Sequence, residues 1–355
     1  MTATTPRRHP APAPPHLVTV AAGRAARRSR RARRTGTLAA VVLLLFVVSL
    51  SVGNTVYGIG DVARVLVGQE VPGASFAVGE LRLPRATLAL LAGAAFGAAG
   101  VTFQTLLRNP LASPDIIGIS SAASAAAVTA LVVLQLGSGP AATWAVVAAL
   151  GTAALIYLLA YRDGVVGTRL VLIGIGLSSM LQSVVAYVLS RAAAWDLQVA
   201  MRWLTGSINN ASWADVLPLA LALAVTVPLL AAQARDLELL RLGDDAASAM
   251  GVRPERTRVL IILGAVVLVA FATAVAGPVA FVALLSGPIA ARTVGHGGPL
   301  LLPAALVGAL LVLGADLVGQ HAFTARYPVG VVTGALGAPF LLYLLVRADR
   351  PGASL

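Results

Sequence analysis

The sequence predicts an all-α integral membrane protein, a polytopic bundle of about ten transmembrane helices. Of its 355 residues, 58% are hydrophobic and 11% charged, with a mean hydropathy of +0.88, a balance unlike that of a soluble domain. Its apolar runs are long enough for helices of about 20 residues, the length that crosses a bilayer core. Most connections between the runs are short, which leaves no room for a sizeable soluble domain.

Residues 1–36 hold nine arginines, five prolines and two histidines, no acidic residue and almost no large apolar side chain. This composition predicts a disordered, cytoplasmic tail. The run from Thr37 to Tyr57 is read as an uncleaved first helix, in preference to a signal peptide, because it is long enough to span. A transit peptide is a third reading that composition allows. The remaining candidate spans fall near 85–107, 116–136, 141–161, 169–190, 213–233, 257–276, 278–294, 300–320 and 331–347. The 257–294 region also reads as one long span followed by a broken one. Together these form a transmembrane domain over 37–348, and 349–355 is a short C-terminal tail.

An even number of spans puts both termini on one side. On that topology 20 of the 26 arginines share the side of the N-terminus, and Arg64, Arg82, Arg85, Arg191, Arg202 and Arg326 lie opposite. Cytoplasmic loops hold the positive charge, so both termini are expected in the cytoplasm. Two connections exceed what a turn needs. One is the outer segment 58–84, which ends in GELRLPR; the other is the inner segment 234–256, ARDLELLRLGDDAASAMGVRPE with its flanks. Both are candidate docking surfaces. Gly93, Gly97 and Gly100, and likewise Gly330, Gly334 and Gly337, have spacings that let helices approach closely in lipid. Pro278, Pro288, Pro303 and Pro339 start or break helices.

Composition also excludes several functions. With no cysteine there is no disulfide, thiolate metal site or cysteine nucleophile. With no lysine there is no standard P-loop, so any ATP-driven work requires a partner. His9, His16, His296 and His321 stand in no metal or triad pattern. No metal, cofactor or catalytic site is expected, and the chain is read as a non-enzyme. The arginine tail suits the membrane surface better than nucleic acid.

The densest polar interruption is QTLLRNPLASPDIIGIS at 104–120, at the predicted inner end of the second span. Pro110 and Pro114 prevent a continuous helix, Asn109 can bond exposed backbone, and Asp115 favours the start of the next helix. A rigid tight turn and a gate both fit. Asp316 is the one carboxylate deep in a predicted span, a costly placement that marks function, or capping or pairing with a nearby arginine.

QTLLRNPLASPDIIGISSAAS resembles the signature of the FecCD family of ABC-transporter permeases, which import ferric siderophores, haem and cobalamin. Three further blocks agree in order: LRLPR at 81–85, LRLGDDAASAMGV at 240–252, and AGPVAFVALLSGPIAAR with YPVGVVTGALGAPFLLYLL between 276 and 345. The resemblance covers nearly everything after residue 37. It implies a type II importer permease of ten helices in a bacterial cell membrane. Its implied partners are a second permease subunit, identical or paralogous, two cytoplasmic ATPase subunits and an external substrate-binding lipoprotein or periplasmic protein. The implied cargo is an iron–siderophore chelate. Cobalamin or haem is the alternative within the family, and an ion-coupled secondary transporter the alternative outside it.

Site residues follow from the same resemblance. Leu242, Gly243, Asp245, Ala246, Ala247, Met250 and Gly251 match the element that seats in the ATPase, where composition alone allows an ordinary amphipathic surface helix. The glycines are its start and stop signals, and Leu242, Ala246, Ala247 and Met250 are expected to form an apolar ridge. Arg82 and Arg85 match the arginines that meet glutamates of the binding protein, where physics alone suggests snorkelling. The family often adds an arginine four residues after the aspartate of the ninth helix; here it is Gln320, and Arg326 is a substitute source of charge. Asn109 and Leu111 match one constriction of the inner gate, and Gly167 and Thr168 the other, with packing an open alternative for Leu111. Gly287-Pro288 stands where many members have Pro-His, so no metal role is assigned there, and the Ser-Gly-Pro form resembles siderophore permeases.

Overall fold

The structure is a computed structural model that describes residues 15–160, 167–295 and 297–348. Helices occupy all ten predicted places. Seven are long and apolar enough to cross a membrane: Gly23–Ser51, Ser75–Leu106, Ser138–Ala160, Arg169–Ser190, Trp213–Ala232, Pro254–Ala276 and Leu301–His321. Three shorter apolar helices complete the set: Ile119–Val133, Val282–Val294 and Val329–Tyr343.

We label the α-helices in order: α1 Pro15–Ser51, α2 Ile59–Leu66, α3 Leu83–Leu106, α4 Ile119–Val128, α5 Ser138–Ala160, α6 Gly167–Ser190 and α7 Ala194–Leu204. After them come α8 Trp213–Ala232, α9 Ala234–Leu240, α10 Asp244–Ala249, α11 Pro254–Ala276, α12 Val282–Val294, α13 Leu301–His321 and α14 Val329–Ala348. Wider π-type turns lead into α3 at Ser75–Arg82 and extend α4 through Thr129–Val133.

The helix α3 is the axle of the bundle, buried along most of its length against α11, α12 and α13. Its glycines make this possible. A Cβ at Gly93 or Gly97 would collide with backbone of α13 at Gly308 and Ala304, and one at Gly100 would collide with Ala283 of α12. Without side chains at the crossing, the backbones touch and dispersion replaces the hydrophobic drive that lipid does not supply. At 1.5 Å rise per residue α3 is about 36 Å long, so Arg85 and Arg108 mark opposite ends of the molecule.

Three boundaries differ from the sequence reading. The first helix starts at Pro15, inside the segment expected to be disordered, because alanine and arginine sustain a helix and side chains at 31 and 34 hold it to the bundle. It stops at Ser51 rather than 57. The span predicted at 278–294 is only 13 residues as α12, about 20 Å, because Gly277 (φ 69°) and Phe281 (φ 65°) turn the chain sharply before it. Backbone contacts hold that corner: Gly277 abuts Trp203 and Gly206, and the Gly330 N–H donates to the Gly206 carbonyl at 3.1 Å.

Candidate functional site

At the Arg85 end, the π-type turn ends at Arg82 and α3 begins through Pro84, so Arg82 and Arg85 stand about one turn apart, and their paths diverge. The Arg82 guanidinium donates to the carbonyls of Leu50 (3.0 Å), Ser51 (2.9 Å) and Thr55 (2.7 Å) and lies 5.2 Å from the Tyr57 ring centre. It thus caps the free carbonyls where α1 ends. Arg85 grips both oxygens of Asp316 on α13 at 3.0 and 2.6 Å, and its Nη2 also donates to Asn209 at 2.8 Å. The planar fork matches the carboxylate, and the pairing accounts for a charged Asp316 with little solvent exposure.

Gln320 joins the same network, its Nε2 donating to Asn209 at 2.9 Å. An arginine here would add a second charge to this end; the amide holds Asn209 and adds none. Arg326 donates to Asn54 at 3.0 Å. Arg82, Arg85, Asp316, Gln320 and Arg326 all border one cavity of about 520 Å³, whose wall also includes Asn54, Tyr57, Asn209 and His321. Three arginines against one aspartate leave this wall cationic. The structure therefore brings all four predicted docking residues together with Asp316. Sequence reading missed Asn209, which accepts from both Arg85 and Gln320; its only signal was the Asn209-Asn210 pair between two spans.

At the other end, α3 closes with the Asn109 N–H donating to the Gln104 carbonyl at 3.0 Å and the Arg108 N–H to Thr105 at 3.3 Å. This is the Schellman pattern, which favours glycine at the position Arg108 fills with φ 51°. Asn109 Oδ1 then accepts the Leu111 N–H at 2.9 Å, and Asn109 and Leu111 are exposed at the tip. Arg108 reaches across to donate to the carbonyl of Leu240, the last residue of α9. The turn before α4 is thereby tied to the segment that leads into α10. The second predicted constriction, Gly167 and Thr168, opens α6, but their side chains lie outside the described residues, as does Arg162.

The helix α10 begins after Gly243 (φ 109°) and ends before Gly251 (φ 88°), two conformations glycine adopts without steric cost. Asp244 pairs with Arg258 of α11 at 2.7 Å, while Asp245 is exposed. The expected apolar ridge is split. Ala247 is fully buried against Leu240 and Val252, Ala246 is half-buried, and Leu242 and Met250 are exposed at 66% and 48%. Leu242 precedes the break at Gly243, Met250 follows the last helical residue, and adjacent Ala246 and Ala247 point about 100° apart, so Ala247 anchors the element and Leu242 and Met250 are its exposed apolar contacts.

Between the two ends lies a cavity of about 600 Å³ bordered by Ser113, Asp115, Ser120, Ser121, Ser124 and Gln182, with Phe281 also on its wall. Asp115 keeps part of its surface open to this cavity, but its carboxyl is surrounded by protein, and burial pushes its pKa up. Hydrogen bonds from Ser120 and Ser113 oppose that shift without cancelling it. Behind it, Gly287 leaves the room the Gln104 amide fills: Gln104 Nε2 donates to Leu284 at 2.9 Å, and a Cβ at 287 would strike Gln104. The described residues contain no cluster of metal-ligating side chains.

The chain is similar to known proteins over most of its length. The ferric enterobactin transport system permease protein FepG of Escherichia coli is 41% identical over 291 residues, covering 82% of this chain and 88% of that protein. The achromobactin transport system permease protein CbrC of Dickeya dadantii is 40% identical over 312 residues, covering 86% and 89%. A solved metal-chelate type ABC transporter in an inward-facing conformation superposes with a TM-score of 0.78 at 28% identity, over 88% of this chain and 98% of that one. Residues 41–347, from the first span to the end of α14, match the FecCD transport family, and the chain belongs to that family.

Proposed function

We propose that this chain is the membrane-spanning subunit of an ATP-driven importer that carries a ferric siderophore delivered by an external binding protein. Near-full-length similarity to permeases named for ferric enterobactin and achromobactin carries the reading. ATP hydrolysis belongs to separate cytoplasmic subunits, since a chain without lysine cannot form a standard P-loop. Those subunits seat on 240–252 and meet Leu242 and Met250. The binding protein docks at the Arg85 end, where its glutamates share the guanidinium fork of Arg85 with Asp316 and meet Arg326 at the rim. Arg82 supports that surface by fixing the end of α1.

On this reading Asn109 and Leu111 form a lip of the inner gate, and the Arg108 bond to Leu240 carries movement of the coupling segment to that lip. The polar cavity beside α4 and α6 lies along the route, which a second permease subunit completes. Affinity resides in the binding protein, because tight sites within the pore would hinder release.

The test is uptake into proteoliposomes holding the permease, its ATPase and its loaded binding protein. ATP-dependent entry of a ferric chelate is the expected result. Entry driven by an ion gradient with no ATPase present would overturn it, and selective entry of cobalamin or haem would overturn the cargo alone.

A further inference from the structure

The helix α1 extends well beyond its span, and the extension lies outside the family match, which begins at residue 41. Seven arginines fall between residues 24 and 34, and no acidic residue lies anywhere in 1–36. Two of the seven grip the bundle. Arg31 donates to the carbonyls of Gly295 (3.3 Å) and Pro299, and Arg34 to that of Thr293 at 3.2 Å, closing the carbonyl end of α12. Arg31 also lies within electrostatic reach of Glu238 on α9, so the basic helix shares an end of the molecule with the coupling segment. The other five, Arg24, Arg27, Arg28, Arg30 and Arg33, are exposed and pair with no carboxylate among the described residues.

The geometry points to a binding surface for anionic phospholipid headgroups, formed by these five arginines and held in place by Arg31 and Arg34. Placement favours lipid over a protein partner. Leu38 is the first buried apolar residue among the described side chains of the helix, and at 1.5 Å per residue Arg34 to Arg24 lie about 6 to 21 Å beyond it. The headgroup layer is roughly 5–8 Å deep on each side and arginine side chains reach back several ångströms, so Arg30 and Arg33 meet it directly, while Arg24, Arg27 and Arg28 stand within about a Debye length, roughly 8–10 Å, of its charge. Each fork can take two phosphate oxygens, and an exposed basic side chain at an anionic leaflet gains roughly fivefold in occupancy. The helix is cationic around its circumference, which suits a fluid layer of headgroups better than a fixed protein cleft.

The absence of cysteine allows a clean probe. A single thiol at exposed Ala32 (A32C), labelled with a nitroxide in the full-length protein, is placed in nanodiscs of phosphatidylcholine alone or with about 30% phosphatidylglycerol. The anionic discs should slow the label and shield it from a water-soluble relaxant by at least about threefold, and roughly 0.5 M salt should reverse this, as expected for screened surface charges. Arg24, Arg27, Arg28, Arg30 and Arg33 changed together to Gln should abolish the difference. The salt reversal tests the unsubstituted surface even where that variant inserts poorly. A label indifferent to phosphatidylglycerol would overturn the proposal. So would a label ordered only on adding the ATPase subunits, whatever the lipid, which would assign the surface to a protein partner. The readout needs no transport, so it stands or falls apart from the importer reading.

Discussion

Arg108 occupies a backbone position that favours glycine and uses its side chain to bond a carbonyl on another element. Holding a non-glycine residue there costs about 1 kcal/mol, so the side chain has to offset strain its backbone creates. Two substitutions separate these effects. Arg108→Gly should lower the melting temperature only slightly, because relieved strain offsets part of the lost bond, while cutting ATP-driven uptake, and Arg108→Ala should cut uptake equally while lowering stability further. Loss of a charge-assisted bond of about 1.5–3 kcal/mol predicts a roughly tenfold or greater fall in transport per ATP. Normal coupling in both variants would show the bond to be incidental. Asp115 poses the opposite problem. Its raised pKa means the folded state holds the proton more tightly than the unfolded one, so stability should fall as pH rises from the ordinary carboxylate range through that raised value. Asp115→Asn should flatten the melting curve against pH and be at least as stable as the parent at neutral pH. A parent whose stability is flat across that window would contradict the buried carboxyl.

Among the elements, α3 and α13 are joined twice, by glycine contacts along their length and by the Arg85–Asp316 pair at one end. The pair is partly exposed, so its Coulomb energy is screened, and removing one partner should cost about 1–3 kcal/mol through the charge left behind. Removing both, as Arg85→Leu with Asp316→Leu, should cost less than the two single changes combined. Thermal melts of the four proteins in detergent give that cycle, and strict additivity would mean that the two groups do not act as a pair. If Arg85 also meets the binding protein, the double variant should fold yet dock weakly, whereas loss of Arg82 should harm folding first because it caps α1. Residues 240–252 divide similarly: Ala247 and the two glycines shape the segment, and Leu242 and Met250 are exposed on it.

For the whole molecule, the bundle leaves an unusual face on α6. Gly176, Ser179, Ser183 and Ala186 are exposed along one side of a helix otherwise rich in apolar residues. Small polar residues gain nothing from lipid tails but allow close backbone approach, so this side suits a second subunit. A single cysteine at Ser179 in this cysteine-free chain should cross-link two copies in membranes if the permease pairs with itself. Cross-linking only when a paralogous permease carries the matching cysteine would indicate a heterodimer.

Much of this was legible in the sequence. Composition and the periodic apolar runs determined a bundle with helices at ten places, because crossing a bilayer requires a minimum apolar length whatever the fold. The absence of lysine excluded a standard P-loop, and the ordered motifs pointed to the family. What only the tertiary structure decided is which polar groups meet. Arg82 and Arg85 are three residues apart and read alike, yet one closes a helix end and the other grips Asp316, 231 positions away. The Arg108 bridge and the anchoring of the helical arginine segment are likewise set by elements distant in sequence, whereas the ridge at 242–250 is split by near neighbours, Leu240 and Val252, that bury Ala247 alone. Local pattern fixes whether a segment is helical and apolar, but a hydrogen bond or ion pair depends on the position of its partner, and chain folding alone supplies that.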